Sequence, residues 1–188
     1  MKATPVESTN LFSKHTIADY LRMENEQDCH GIAALIRLRL RERYLNPVEC
    51  STKKHGFASM ALACLLIETV QSFREGLGNT KGRSRDLFRI FLTNEPGFAI
   101  FARHADRFFE DVRCGILHQG ETRKGWTVMR RGPLFDPVEK QLNATRFLKS
   151  VNDALNVYCF ELECADWNSD LWTKCREKMA AIIPNCGG

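Results

Sequence analysis

The run Met60-Ala61-Leu62-Ala63-Cys64-Leu65-Leu66-Ile67 holds no polar side chain. Set within Phe57–Leu77, it predicts a helix that is apolar on nearly all sides, and such a helix belongs at the centre of a domain. Glu68 follows directly. An acid on a central helix is seldom buried without a partner. Two placements are open to it: the rim of the apolar zone, or a cation partner that it orients, for which Arg113 is the candidate. Ser72 and Glu75 fall on the same side at helical spacing.

A chain of 188 residues is long enough for one sizeable core. With 44% hydrophobic and 27% charged residues it reads as ordinary and globular rather than disordered. The net charge of +4 permits a polyanionic partner without demanding one. No apolar run approaches the length needed to cross a membrane, and residues 1–13 lack the apolar segment of a secretion signal, so a cytoplasmic location is expected. Eight cysteines invite a disulfide reading. However, Cys64 lies in the apolar helix, Cys159 and Cys175 lie in amphipathic stretches, and no Cys-x-x-Cys pair occurs. Reduced, mostly buried thiols are the better reading.

Residues 1–15 read as a loose leader and residues 16–188 as a single helical domain. Thr16-Ile17-Ala18-Asp19 has the form of a helix start, with a capping hydroxyl and an acid in the first turn. Asp28 caps a second helix through Leu40. There Arg37, Arg39, Arg41 and Arg43 interleave with apolar residues; the length favours helix over strand, and Asn46-Pro47 is expected to end it. Gly78 to Arg83 is a basic linker without the features of a phosphate loop. Ser84 is expected to cap a short helix, and Asn94 to Gly97 to form a turn. Asn143 to about Glu163 is amphipathic, and Ser169 opens a last helix.

Between that turn and residue 120 lies an aromatic helix, about Phe98 to Gln119. At about 100° per residue, Phe101, Ala105, Phe108, Val112 and Ile116 form one stripe. Arg113 falls at its border. Five residues on, with four between, comes His118, which lies about 140° round from Arg113 on a regular helix. The two meet only if the helix loosens near Gly115 or if a second copy of the helix faces the first. Gly120 is a natural stop, which puts His118 in the last turn.

An arginine followed after four to six residues by a histidine, on the penultimate long helix of a small helical domain, resembles the HEPN superfamily (higher eukaryotes and prokaryotes nucleotide-binding domain). The run from Phe109 through Trp126, with His-Gln-Gly-Glu-Thr and Gly-Trp, is similar to HEPN proteins of prokaryotic defence and toxin systems. The resemblance covers the helical part from Cys29 onward. It implies an all-α HEPN-like bundle with a short hairpin or irregular insertion after the motif helix. It also implies a metal-independent endoribonuclease working as a homodimer, with an antitoxin or other regulatory protein as a partner. Where the nuclease members usually carry a polar residue after the arginine, this chain has Cys114, a weak hydrogen-bonding group.

The residue types suit that chemistry. RNA brings its own nucleophile, the 2′-hydroxyl, and cleavage leaves a 2′,3′-cyclic phosphate. Histidine can take or give the protons near neutrality, and arginine presents a planar fork to phosphate oxygens. Arg113 and His118 are therefore the catalytic candidates, with Glu68 and Cys114 in support. The segment Gly120–Pro137 has the alternation of a short hairpin. Its Arg123, Lys124, Arg130 and Arg131 beside Trp126 form a candidate RNA-binding flap, by charge and by base stacking.

Blander readings stand beside these. His118 suits the negative end of a helix dipole, Arg113 suits a structural ion pair with Glu110 or Glu68, and the flap suits a solvated loop. Cys114 and His118 have zinc-compatible spacing but no further ligands nearby, so no metal or other cofactor is expected. The alternative function is a non-catalytic helical module that binds RNA or a protein, and a third is a small-nucleotide binder, which would show as ligand-induced stabilisation without turnover.

Overall fold

A computed structural model describes residues 8–51, 53 and 55–186. The chain forms two compact units, one from residues 1–39, 72–80 and 156–188, the other from 40–71 and 81–155.

The first unit opens on a hairpin. Strand β1 (Asn10–Phe12) pairs antiparallel with β2 (His15–Thr16), placing Phe12 opposite His15. Leu11 and Phe12 are buried, and the Arg39 guanidinium donates to the Leu11 carbonyl. Over residues 8–15 the expected leader is therefore folded chain, held down by apolar burial; its first seven residues lie outside the described residues. Helix α1 (Ile17–Asn25) follows. Thr16 caps it reciprocally: the Asp19 N–H donates to Thr16 Oγ1 at 3.2 Å, and the Thr16 N–H donates to Asp19 Oδ2 at 2.8 Å. Asp28 starts α2 (Cys29–Leu40), accepting from the Gly31 N–H at 2.8 Å. Ile32, Ala33, Leu35 and Ile36 are buried, so helical periodicity prevails over the arginine alternation.

The second unit begins with a wide π turn, Arg41–Leu45, leading into α3 (Asn46–Glu49). The expected stop at Asn46-Pro47 is thus a helix start, because proline lacks only an N–H that a first turn leaves unpaired anyway. Helix α4 (Gly56–Arg74) carries the apolar run, and α5 (Ser84–Asn94) follows. Residues 96–119 are helical throughout but uneven: a 3₁₀ stretch (Pro96–His104), α6 (Ala105–Arg107), a π turn (Phe108–Arg113) and α7 (Cys114–Gln119). Next come β3 (Thr127–Met129), β4 (Phe135–Asp136) and β5 (Gln141–Asn143). Helix α8 (Ala144–Cys164) begins here and ends in the first unit, where α9 (Asp170–Ile182) closes the chain. Ser169 caps α9 by accepting from the Trp172 N–H at 3.4 Å.

The fold is thus mostly helical, and the expectation of a purely α domain is corrected by two small sheets. In the second unit the core is aromatic. Phe108 stacks on Phe147 with centroids 5.2 Å apart, and Phe101 stacks on Phe135 at 4.8 Å. All five residues of the stripe read from the sequence are buried. By length and composition alone α4 could cross a bilayer, which corrects the reading that no apolar run reaches that length. More than half of it is packed inside the protein, as a core helix is.

The cap on α1 gives a test. The Thr16 N–H and hydroxyl hold the Asp19 carboxyl below its ordinary value of 3.8. A depressed carboxyl stabilises the fold above its unfolded pKa, and that share is lost as pH falls through the folded one. Thr16→Ala should lower stability by about 1 kcal/mol at neutral pH. In urea titrations its gap from the parent should narrow below about pH 4.

Candidate functional site

Arg113 ends the π turn with its side chain 14% exposed. Its Nη2 donates to Glu68 Oε2 at 2.8 Å, and its guanidinium lies over the Phe109 ring at 5.4 Å. Of the two placements open to Glu68, the structure gives the cation partner. The other Glu68 oxygen accepts from the Ser84 hydroxyl at 2.7 Å. Ser84 was expected to cap α5; its hydroxyl serves Glu68, and Arg83 stands at the capping position without a side-chain bond. One turn back on α4, fully buried Cys64 has its thiol pushed up to about 12, first by burial. It is an apolar filler rather than a nucleophile. Cys114 is half-buried beside this group.

His118 stands in the last turn of α7, exposed to solvent. Gly120 ends the helix in the left-handed conformation, φ 70°, and its N–H donates to the Ile116 carbonyl at 3.1 Å. Cys114–Gln119 is regular α-helix, and the wide turn lies before Arg113. Loosening near Gly115 is thereby removed as a way to join the pair. Within one chain, Arg113 and His118 point about 140° apart round the helix.

Gly115 has another task. A Cβ there would lie 2.5 Å from the Glu121 carbonyl oxygen and 3.3 Å from Thr122 Cα. Only a residue without a side chain lets the following loop fold back this closely. The Arg123 N–H reaches the Asp111 carbonyl at 2.8 Å, and Arg123 Nε donates to Gln119 Oε1 at 2.9 Å.

The flap residues divide. Lys124, Arg130 and Arg131 are exposed, and Arg123 is half-buried. Trp126 is 4% exposed, stacked on Phe135 at 5.1 Å and set edge-on to Phe108. It is a core residue, which corrects its reading as a base-stacking platform: Phe135 covers one face of its ring. The expected hairpin is also different. β3 and β4 do not pair with each other; β5 lies between them, parallel to β3 and antiparallel to β4.

Behind the loop, Arg107, Glu110, Asp111, Lys124, Trp126 and Lys140 line a recess of about 290 Å³. Sequence reasoning missed Arg107, Asp111 and Lys140. Asp111 and Glu110 are adjacent acids, and the signal that separates them is the apolar stripe, to which Asp111, three residues after Phe108, lies nearer. Among the described residues, no three or more His, Cys, Asp or Glu side chains gather as a metal ion would need.

Compared with family models, curated proteins and solved structures, the chain matches none.

Three substitutions probe this geometry. Glu68→Leu strands a nearly dry guanidinium and should cost about 3 kcal/mol. Adding Arg113→Met should recover part of that loss, measured as a double-mutant cycle in denaturant. Gly115→Ala forces the loop off the helix and should cost about 1–3 kcal/mol in the same assay.

Proposed function

We propose that this chain is a metal-independent endoribonuclease of the HEPN type, cytoplasmic and acting as a homodimer in a defence or toxin–antitoxin setting. One observation carries the reading: a guanidinium fixed by Glu68 and an exposed imidazole stand five residues apart on one helical stretch. Each is the right group for phosphodiester transfer, and the Arg113–His118 motif carries one of each. Two motif helices facing across a twofold axis complete the set. The 2′-hydroxyl attacks phosphorus while His118 of one copy accepts its proton. His118 of the other copy protonates the departing 5′-oxygen, and the arginines offset the charge of the crowded phosphorane. The bond from phosphorus to the 5′-oxygen breaks, leaving a 2′,3′-cyclic phosphate and a 5′-hydroxyl. Lys124, Arg130 and Arg131 supply exposed positive charge for the strand.

A second reading has its own support. Glu68 and Phe109 already engage the Arg113 guanidinium. In a non-catalytic module binding RNA or a protein, that engagement is the whole purpose of the arginine, and His118 serves the helix end.

The two readings part in one assay. The purified chain should cleave RNA in EDTA, and His118→Ala should lower the rate about 10²–10⁴-fold with its unfolding midpoint unchanged. If neither protein cleaves, the module reading stands; a variant that cleaves as fast as the parent removes His118 from the reaction and overturns the mechanism.

A further inference from the structure

The recess behind the loop contains a carboxylate with no partner among the described residues. Asp111 is 8% exposed, and among the described residues its side chain forms no ion pair or hydrogen bond. The oxygens of this otherwise buried residue are not sealed in; they open onto the recess, where the donors of a ligand can reach them. Its acidic neighbour is occupied, since Glu110 accepts from Arg85 at 2.6 Å. Around Asp111 the lining is basic: Arg107, Lys124 and Lys140, with Lys140 Nζ held on the Lys124 carbonyl at 3.0 Å. Trp126, otherwise buried, adds apolar lining.

We infer that this recess binds the base of a guanine nucleotide, with Asp111 reading the base and the surrounding cations holding the attached phosphate. The volume, about 290 Å³, suits a single ring system rather than a large ligand. Guanine offers adjacent ring and exocyclic N–H donors, a parallel pair that matches a carboxylate as an arginine fork does. Adenine presents an acceptor where guanine presents the ring N–H, so Asp111 repels it. Uracil and cytosine each lack one member of the pair. The setting rests on the ribonuclease reading. Asp111 lies seven residues before His118, about 10 Å along the helix, with the loop over Gly115 between them. A strand with its guanine in the recess runs toward His118.

Titration calorimetry of the full chain with the 5′-monophosphates of guanosine, adenosine, cytidine and uridine tests this apart from cleavage. Guanosine monophosphate should bind at least about tenfold more tightly than the others. Asp111→Asn should lose that preference and favour xanthosine monophosphate, whose C2 carbonyl accepts from the new amide. A merely structural aspartate would not exchange one base for another. Should Asp111→Asn fail to fold, Lys124→Ala takes its place and should weaken guanosine monophosphate several-fold, and less so in high salt. Equal binding of the four nucleotides, no binding, or either variant binding as the parent does would overturn the inference. Binding without RNA cleavage would sink the ribonuclease reading and leave this one; cleavage without base preference would do the reverse.

Discussion

An ionised carboxylate and a guanidinium that have both nearly left water must find each other, and that requirement fixes the candidate site. Glu68 and Arg113 are about one-tenth exposed and 2.8 Å apart. Arginine stays charged at any ordinary pH, so it cannot escape burial by losing its proton. Its position is therefore set by where Glu68 stands on α4, and Glu68 is steadied in turn by the Ser84 hydroxyl at the start of α5. The Arg113 Nε is buried without an acceptor, so the arrangement is not complete. Arg37 keeps its Nε in the same condition within its pair with Glu163, so the feature accompanies ion-paired arginines in this fold and does not by itself mark a site.

What could be read from the sequence was local. Thr16, Asp28, Ser169 and Gly120 act through residues three or four positions away, and each stands where the pattern put it. The apolar stripe from Phe101 to Ile116 was legible for the same reason. What failed depended on distant chain. β5 is three residues long, has no alternation to mark it, and lies beside β3 in a register that pairs Thr127 with Gln141. The place of Trp126 is set by Phe135 and Phe108, so a tryptophan among basic residues looked exposed and is not. The Ser84 hydroxyl had a nearer claimant across the fold than the helix end it opens.

The loop after the motif helix shows how a small residue shapes a site. Because Gly115 has no side chain, the backbone at Glu121 and Thr122 sits directly on the helix. That contact carries Arg123 back to the Asp111 carbonyl and sets Lys124 at the recess. The basic groups nearest the motif are thus placed by main-chain geometry, while Arg130 and Arg131 further along are simply solvated.

The uneven winding of residues 96–119 has a consequence for anyone who would regularise it. A 3₁₀ stretch turns more per residue than an α-helix, and a π turn turns less. The two departures offset each other, which is why a stripe drawn at uniform pitch still lands on buried residues. Straightening either segment alone would rotate everything downstream of it. Arg113 would swing away from Glu68, and Ile116 would leave the core. The helix keeps time by two compensating errors, and a single deletion near Phe109 would put its second half out of phase with its first.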